Sequence, residues 1–275
     1  MRALKANIEA TQTRQARLRA YFGAQVLNGH DFVCRHSAAC ASSCRAGVTF
    51  YPVQLHHVGS HYDLLWDGRP FRVVMVGQEA GHGDVVDLDQ RRALILDRVD
   101  HAFTARNAHI AGTTTLLRLL FGRDPGTDRD GEVLDLHGEP VHLFEAFALV
   151  NFLLCSAVDG TVDRTGRREG GKGRSSPTMR RNCAAHFRAA IDILEPTVLV
   201  AQGFDVRRWI GRAYGWPRWT REPVERVVVG GRRTLLLSFA HPSASGRYGW
   251  WGRSPRSPYL IETVVPAIRS ALADR

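Results

Sequence analysis

Residues 71–81 read FRVVMVGQEAG. The run Phe71–Val76 is apolar apart from Arg72, rich in β-branched residues, and stops at Gly77. It lacks the 3.6-residue period of a surface helix and is too short for a buried one. It therefore reads as a strand buried on both faces, feeding a glycine-rich turn. The segment TVLVAQG (197–203), just after Pro196, has the same form. Residues 226–230 and 233–239 read as two further strands, turned into a hairpin by Gly230 and Gly231. Helical patterns lie between and around these runs, at 5–28, 88–121, 182–194, 204–214 and 258–273. Buried strands alternating with helices predict an α/β fold whose central, mostly parallel sheet is covered on both faces.

The remaining stretches are less regular. Residues 29–47 are irregular and cysteine-rich, and 124–140 are turn-rich. Residues 157–181 are basic and glycine-rich, which predicts a flexible insertion. FEAFALVNFLL (144–154) is an apolar run of buried-strand or buried-helix type, interrupted by Asn151. No internal repeat is visible.

The chain has 275 residues, which predicts one large domain over 1–275. No stretch approaches the roughly 18 apolar residues of a membrane span. The polar N-terminus lacks the apolar core of a signal peptide. These features predict a cytoplasmic protein with no membrane partner. The 37 basic and 27 acidic side chains give a net charge of +10. Such a field attracts polyanions, and arginine suits bidentate phosphate contacts. Five cysteines, Cys34, Cys40, Cys44, Cys155 and Cys183, are an odd number. In a reducing compartment they point to metal or catalysis before disulfides. Four thiolates suit either Zn²⁺ or an iron–sulfur cluster.

In open α/β sheets, ligands bind outside the carboxyl ends of the strands. Three polar clusters fall at such ends: Gly77-Gln78-Glu79-Ala80-Gly81, Asn151, and His241-Pro242-Ser243. The first lacks the Gly-Lys-Ser/Thr of a phosphate-binding loop and the GxGxxG of a dinucleotide site. Glu79 offers a carboxylate able to orient or deprotonate water. An amide within an apolar run costs free energy unless bonded; Asn151 is either a loop cap or a reader of a base edge. A lone histidine at a strand end is ordinarily structural, so His241 gains meaning only beside the other two clusters. After it, SFAHPSASGRYGWWG (238–252) carries Arg247, Tyr248, Trp250 and Trp251, with Arg253 next.

In this order the motifs resemble the uracil-DNA glycosylase superfamily, over roughly residues 34–270. VGQEAG is similar to its first motif, Gly-Gln-Asp-Pro-Tyr in one branch and Gly-Glu-Ala-Pro-Gly in another. FALVNFLLC resembles the strand bearing the base-reading asparagine, and Cys155 follows Asn151 at the spacing of the iron–sulfur branch. NCAAHFRAAIDILEPTVLVAQG resembles that branch's helix, which opens on its last cluster cysteine. SFAHPSASGRYGWWG resembles the final motif. Four departures stand out. Glu79 matches the acid of the first branch, whereas the iron–sulfur branch has its acid where this chain has Gln78. Ala80 replaces proline, Gly81 replaces a tyrosine that excludes thymine, and Ser245 stands where an apolar wedge is expected.

The resemblance implies a three-layer α/β/α sandwich with a central mostly parallel sheet. It implies a monomeric DNA glycosylase that flips a damaged base out of DNA and hydrolyses its N-glycosidic bond. His241 and the backbone at Gln78 would stabilise the departing base, and Glu79 would position water. Gly77, Gly81 and Asn151 would hold the base, with Phe103 or His109 stacking on it. Ser243, Arg247, Arg253 and Arg256 would hold phosphates. Tyr248, Trp250 and Trp251 would stack or fill the vacated space. A structural [4Fe-4S] cluster, with zinc as the alternative, would take four of the five cysteines. Two alternatives stay open. One is the same fold acting on a deaminated purine or bulky adduct, or trapping the abasic sugar through His241. The other is a non-catalytic iron–sulfur DNA-binding protein.

Overall fold

The computed structural model describes residues 4–29, 31–79, 85–136, 138–159, 173–219, 221–250 and 257–273. It is a mixed α/β structure around one six-stranded sheet. The strands are β1 (His57–Val58), β2 (Val73–Gly77), β3 (Ala148–Asn151), β4 (Val198–Gln202), β5 (Val224–Val229) and β6 (Arg232–Phe239), in the spatial order β5-β6-β4-β2-β3-β1. The inner four, β6, β4, β2 and β3, are mutually parallel. Both edges are antiparallel, β5 on β6 and β1 on β3, so the sheet as a whole is mixed.

Seven α-helices occur among the described residues: α1 (Ile8–Gln25), α2 (Ser37–Ser42), α3 (Leu88–Asp100), α4 (Ala108–Leu120), α5 (Pro177–Leu194), α6 (Phe204–Tyr214) and α7 (Val265–Ala273). Successive strand residues point to opposite faces, and the core divides accordingly. Val74, Val76, Val150, Leu199 and Leu236 pack with Phe22 of α1, Phe187 and Ile191 of α5, and Ile210 of α6. Val73, Met75, Leu149, Val200 and Leu237 pack with Ile95 of α3, Leu116 and Leu120 of α4, and Ile268 of α7. Each such side chain removed from water contributes about 1.5–3 kcal/mol. None of the described helices is long and apolar enough to cross a membrane.

Local chemistry sets the helix ends, and it corrects several sequence expectations. The single helical pattern at 88–121 is two helices. Asp87 and Gln90 form a reciprocal capping box at the start of α3, and Asn107 caps α4 by accepting from the Ile110 N–H. The basic stretch 157–181 is structured at both ends. Ser156–Asp159 pairs antiparallel with Val48–Tyr51. α5 begins at Pro177, capped by Ser176, five residues earlier than the expected start at 182. Residues 160–172 lie outside the described residues. The turn-rich segment 124–140 contains a hairpin strand, Val133–Leu136, paired with Glu139–His142. The cysteine-rich segment contains α2. The ambiguous run 144–154 resolves into a 3₁₀ turn at Leu143–Glu145 followed by β3.

One close approach ties α4 to the sheet rim. A Cβ built on Gly112 of α4 would lie 2.5 Å from Pro242 Cβ, so only glycine lets α4 lie against the loop that follows β6. Gly112→Ala is expected to cost about 1–3 kcal/mol through overpacking, read as a lower thermal midpoint. An unchanged midpoint would remove this contact from the account.

Candidate functional site

The carboxyl ends of the four parallel strands share one rim, and each ends in or near a polar residue. Asn151 of β3 stands in register with Gly77 of β2. Beyond the register, Phe152 N–H donates to the Gly77 carbonyl (2.9 Å) and Leu153 N–H to that of Gln78 (2.9 Å). A Cβ on Gly77 would lie 3.4 Å from Asn151 Oδ1 and 3.6 Å from His109 Nε2. The missing side chain is what lets a carboxamide from β3 and an imidazole from α4 meet there. Asn151 is buried, only 5% exposed.

His241 follows β6 and is half-buried. Its ring stacks on that of His109, with centroids 5.6 Å apart and planes 28° from parallel. The Ser243 N–H donates to His241 Nδ1 (3.0 Å). A neutral His241 therefore carries its proton on Nε2. Burial lowers its pKa, which favours that neutral form. Burial also pushes His109 down to about 3, with His241 beside it acting in the same direction. The residue before His241 is clamped: Trp250 Nε1–H donates to the Ala240 carbonyl (2.9 Å), and the Ala240 N–H donates to the Tyr259 hydroxyl (3.1 Å).

Sequence reasoning passed over Gln202, the last residue of β4. It is fully buried; its Nε2 donates to Thr113 Oγ1 of α4 (2.8 Å) and lies 3.7 Å from Met75 Sδ. Its Oε1 has no partner within hydrogen-bond geometry, yet the carboxamide favours a charged His109. The signal was present in LVAQG: a polar residue closing an apolar run beside a glycine, with the order of the two reversed relative to VMVGQ. Gly203 next to it has φ +129°, a region that favours glycine. A Cβ there would lie 3.7 Å from His241 Cβ.

Other site residues lie elsewhere. Gln78 Nε2 donates to Glu79 Oε1 (3.0 Å), and Glu79 Oε2 accepts from the Ala157 N–H (3.0 Å). A Cβ on Gly173 would collide with this carboxylate. Glu79 thus anchors the strand Ser156–Asp159, and its charge bears on Cys44 and Arg180. Trp250, expected on the DNA, is instead core, 1% exposed, because its indole is spent on positioning Ala240. Phe103 is also core, at 3% exposure, so of the two stacking candidates only His109 reaches the rim group. Tyr248 is half-buried, edge-on to Phe204 and Tyr259, with the exposed Arg247 guanidinium 4.7 Å above its ring. Ser243 is exposed. Gly81, Trp251, Arg253 and Arg256 lie outside the described residues.

The five cysteines gather at one place from three segments. Cys34 Sγ lies 3.8 Å from His186 Nε2. Cys44 Sγ lies 3.6 Å from the Cys40 carbonyl, and Asn182 Nδ2 donates to Cys40 Sγ (3.4 Å). Burial first, then Cys183, Cys34, Cys40 and Cys44, push the Cys155 thiol up. Burial pushes Cys183 up to about 12, with Cys40 and Cys34 adding to it. This donor set, with an amide donor already on one sulfur, has the soft chemistry that an iron–sulfur cluster or zinc takes. Among the described residues no three His, Cys, Asp or Glu side chains are arranged at metal-holding geometry.

A scan against protein-family models and a search of curated proteins both return no match.

The enclosed imidazoles have a consequence for pH. Besides His109, burial holds His56 at about 3 and His57 at about 4, against 6.5 when unfolded. Their folded values lie below the unfolded one. Stability is therefore full above about pH 6.5 and falls with pH until those lower values are passed. At pH 5, His56 and His57 each cost about 2 kcal/mol. The urea midpoint should drop sharply between pH 7 and pH 5; equal midpoints would contradict the buried neutral state.

Proposed function

We propose that this protein is a DNA glycosylase of the uracil-DNA glycosylase type, a three-layer α/β/α sandwich that hydrolyses the N-glycosidic bond of a damaged, flipped-out base. The observation that carries this reading is the meeting of Asn151 and His109 at the bare backbone of Gly77, with His241 stacked on His109, at the carboxyl rim of a parallel sheet. Asn151 offers one donor and one acceptor, enough to read the N3/O4 edge of a uracil-like base. His109 supplies an aromatic wall. His241, neutral and protonated on Nε2, donates to the base oxygen on which negative charge grows as the bond to C1′ breaks. Water adds its oxygen to C1′ and its proton goes to the departing base. A neutral donor is the better device here, because it strengthens its bond as charge develops without holding the anion after the reaction.

Glu79 supports this mechanism less directly than the sequence suggested. Its oxygens are engaged by Gln78 and Ala157, so its charge acts on the cationic sugar from a fixed position and not as a mobile base. The DNA partner is supported by the net charge and by the exposed Ser243 and Arg247 beside His241. The cysteine group would hold a [4Fe-4S] cluster, or zinc, between α2 and the start of α5. Bound there, the metal centre would cross-link the cysteine-rich segment at 34–44, the chain after β3 and α5.

The engagement of Glu79 favours one other reading, a DNA-binding protein of this fold that does not cleave. Oligonucleotides carrying single damaged bases, treated with protein and then alkali, separate the two. Excision should fall by about 10²-fold or more in His241→Ala and vanish in Asn151→Ala, with DNA binding nearly intact. Binding to every lesion without strand breakage by the wild-type protein would establish the non-catalytic reading. Protein purified without oxygen should be brown and bleach on reduction; a colourless protein holding zinc would correct the cofactor.

A further inference from the structure

A second basic site lies away from the rim group. α5 and α6 run side by side, and between their outer faces is a groove of about 510 Å³. Phe152 and Trp209 line its floor, and Arg180, Arg181, Arg188 and Arg212 stand around it. The spacing 177, 180/181, 184, 188 places one stripe of α5 along the groove. Pro177 and Ala184 keep that stripe low between the arginines.

The charge here is only partly compensated: Asp205 and Glu79 bear on Arg180 and Asp192 on Arg188 from beyond ion-pair distance. The adjacent arginines of α6 are paired, Arg207 with Glu225 and Arg208 with Asp205. The hydrogen bonds of three groove arginines go to neutral groups: Arg180 to Ser175, Arg181 to the Thr178 hydroxyl, Arg188 to the Ala213 carbonyl. Among the described residues none of the four makes a salt bridge. The Arg180 guanidinium lies over Trp209, 5.1 Å from the ring centroid, with Nη1 held by Ser175, which fixes its orientation. Four like charges on two facing helices repel one another, an arrangement that an anionic ligand relieves.

We propose that this groove takes the phosphodiester backbone of a DNA strand continuing from the rim site. The proposal rests on DNA being the partner, and not on base excision. The groove adjoins the rim from the other face of the sheet: Phe152, which lines it and packs with α5 and α6, directly follows Asn151. Length agrees as well. Arg180 to Arg188 spans about 12 Å of helix, room for about three phosphates of one strand at B-form spacing. The planar guanidinium forks suit phosphate oxygens, and the apolar floor keeps those contacts partly dry.

The test is the salt dependence of binding to an undamaged, fluorescein-labelled duplex by the full chain. Arg181→Gln with Arg212→Gln is compared with Arg17→Gln with Arg233→Gln, an equal loss of charge at exposed positions elsewhere. The groove pair should weaken binding by at least about 10-fold near 0.1 M salt and flatten the log–log salt slope by about 1.8, against little change for the other pair. Equal slopes in the two double variants would overturn the proposal. So would competition by poly-glutamate as effective as competition by DNA, since that marks a generic polyanion surface. No lesion or cleavage enters this measurement, so a chain inert on every damaged base leaves the groove standing, and unchanged slopes leave excision untouched.

Discussion

Burial of both faces of β2, β3, β4 and β6 is the constraint from which the rest of the structure follows. A strand enclosed on both sides takes few polar side chains along its length, here only the small hydroxyls Thr234 and Ser238 of β6. Val73 through Val76 and Val198 through Ala201 are fully buried, so polar chemistry is displaced to the strand ends. Because the four strands are parallel and in register, their carboxyl ends are neighbours. Gly77, Asn151, Gln202 and His241 come together for that reason, although their order along the chain spans more than half of its length.

The corner between α3 and α4 shows how a buried charge places one of these groups. Arg106 and Glu132 are both fully enclosed and paired at 2.8 Å. Arg106 also donates to the Val99 and His101 carbonyls and to Thr114, while His142 meets Glu132 at 3.0 Å. A buried pair of this kind is weak as a source of net stability, but breaking it leaves a stranded charge, so the geometry is strongly selected. Here it joins the end of α3 to the hairpin at 133–142, one residue before the Asn107 cap. It thereby fixes the chain just ahead of α4, the helix that carries His109. On the opposite side, Arg14 joins Asp63 and Glu195, linking α1 to the end of α5.

Dryness gives the rim group its chemical character. His109 and His241 are kept neutral by desolvation, and Gln202 holds a buried oxygen beside them. The carboxylate of Glu79 is drawn instead to the Ala157 N–H on the cysteine side. The group is therefore built of neutral donors and acceptors, suited to recognising an uncharged heterocycle and to stabilising charge that appears only as a bond breaks.

The inner strands, the helices at 8–25 and 204–214, and the polar strand ends at Asn151 and His241 were legible because periodicity and polarity breaks are local properties of the chain. The start of α5 was also written locally, in Ser176-Pro177, beneath the glycine-rich composition that masked it. The short strands between residues 48 and 71 left no comparable signal, since pairing partners rather than sequence hold two- to four-residue strands. Whether Glu79 turns to the rim or to Ala157, whether Trp250 meets solvent or supports Ala240, and that Gln202 bonds Thr113 of α4, depend on contacts between segments far apart in the chain. The sequence by itself determined which stretches must be buried and where polar groups interrupt them. Only the tertiary structure decided which of those groups meet, because a side chain's direction at a strand end is set by the neighbours packed around it.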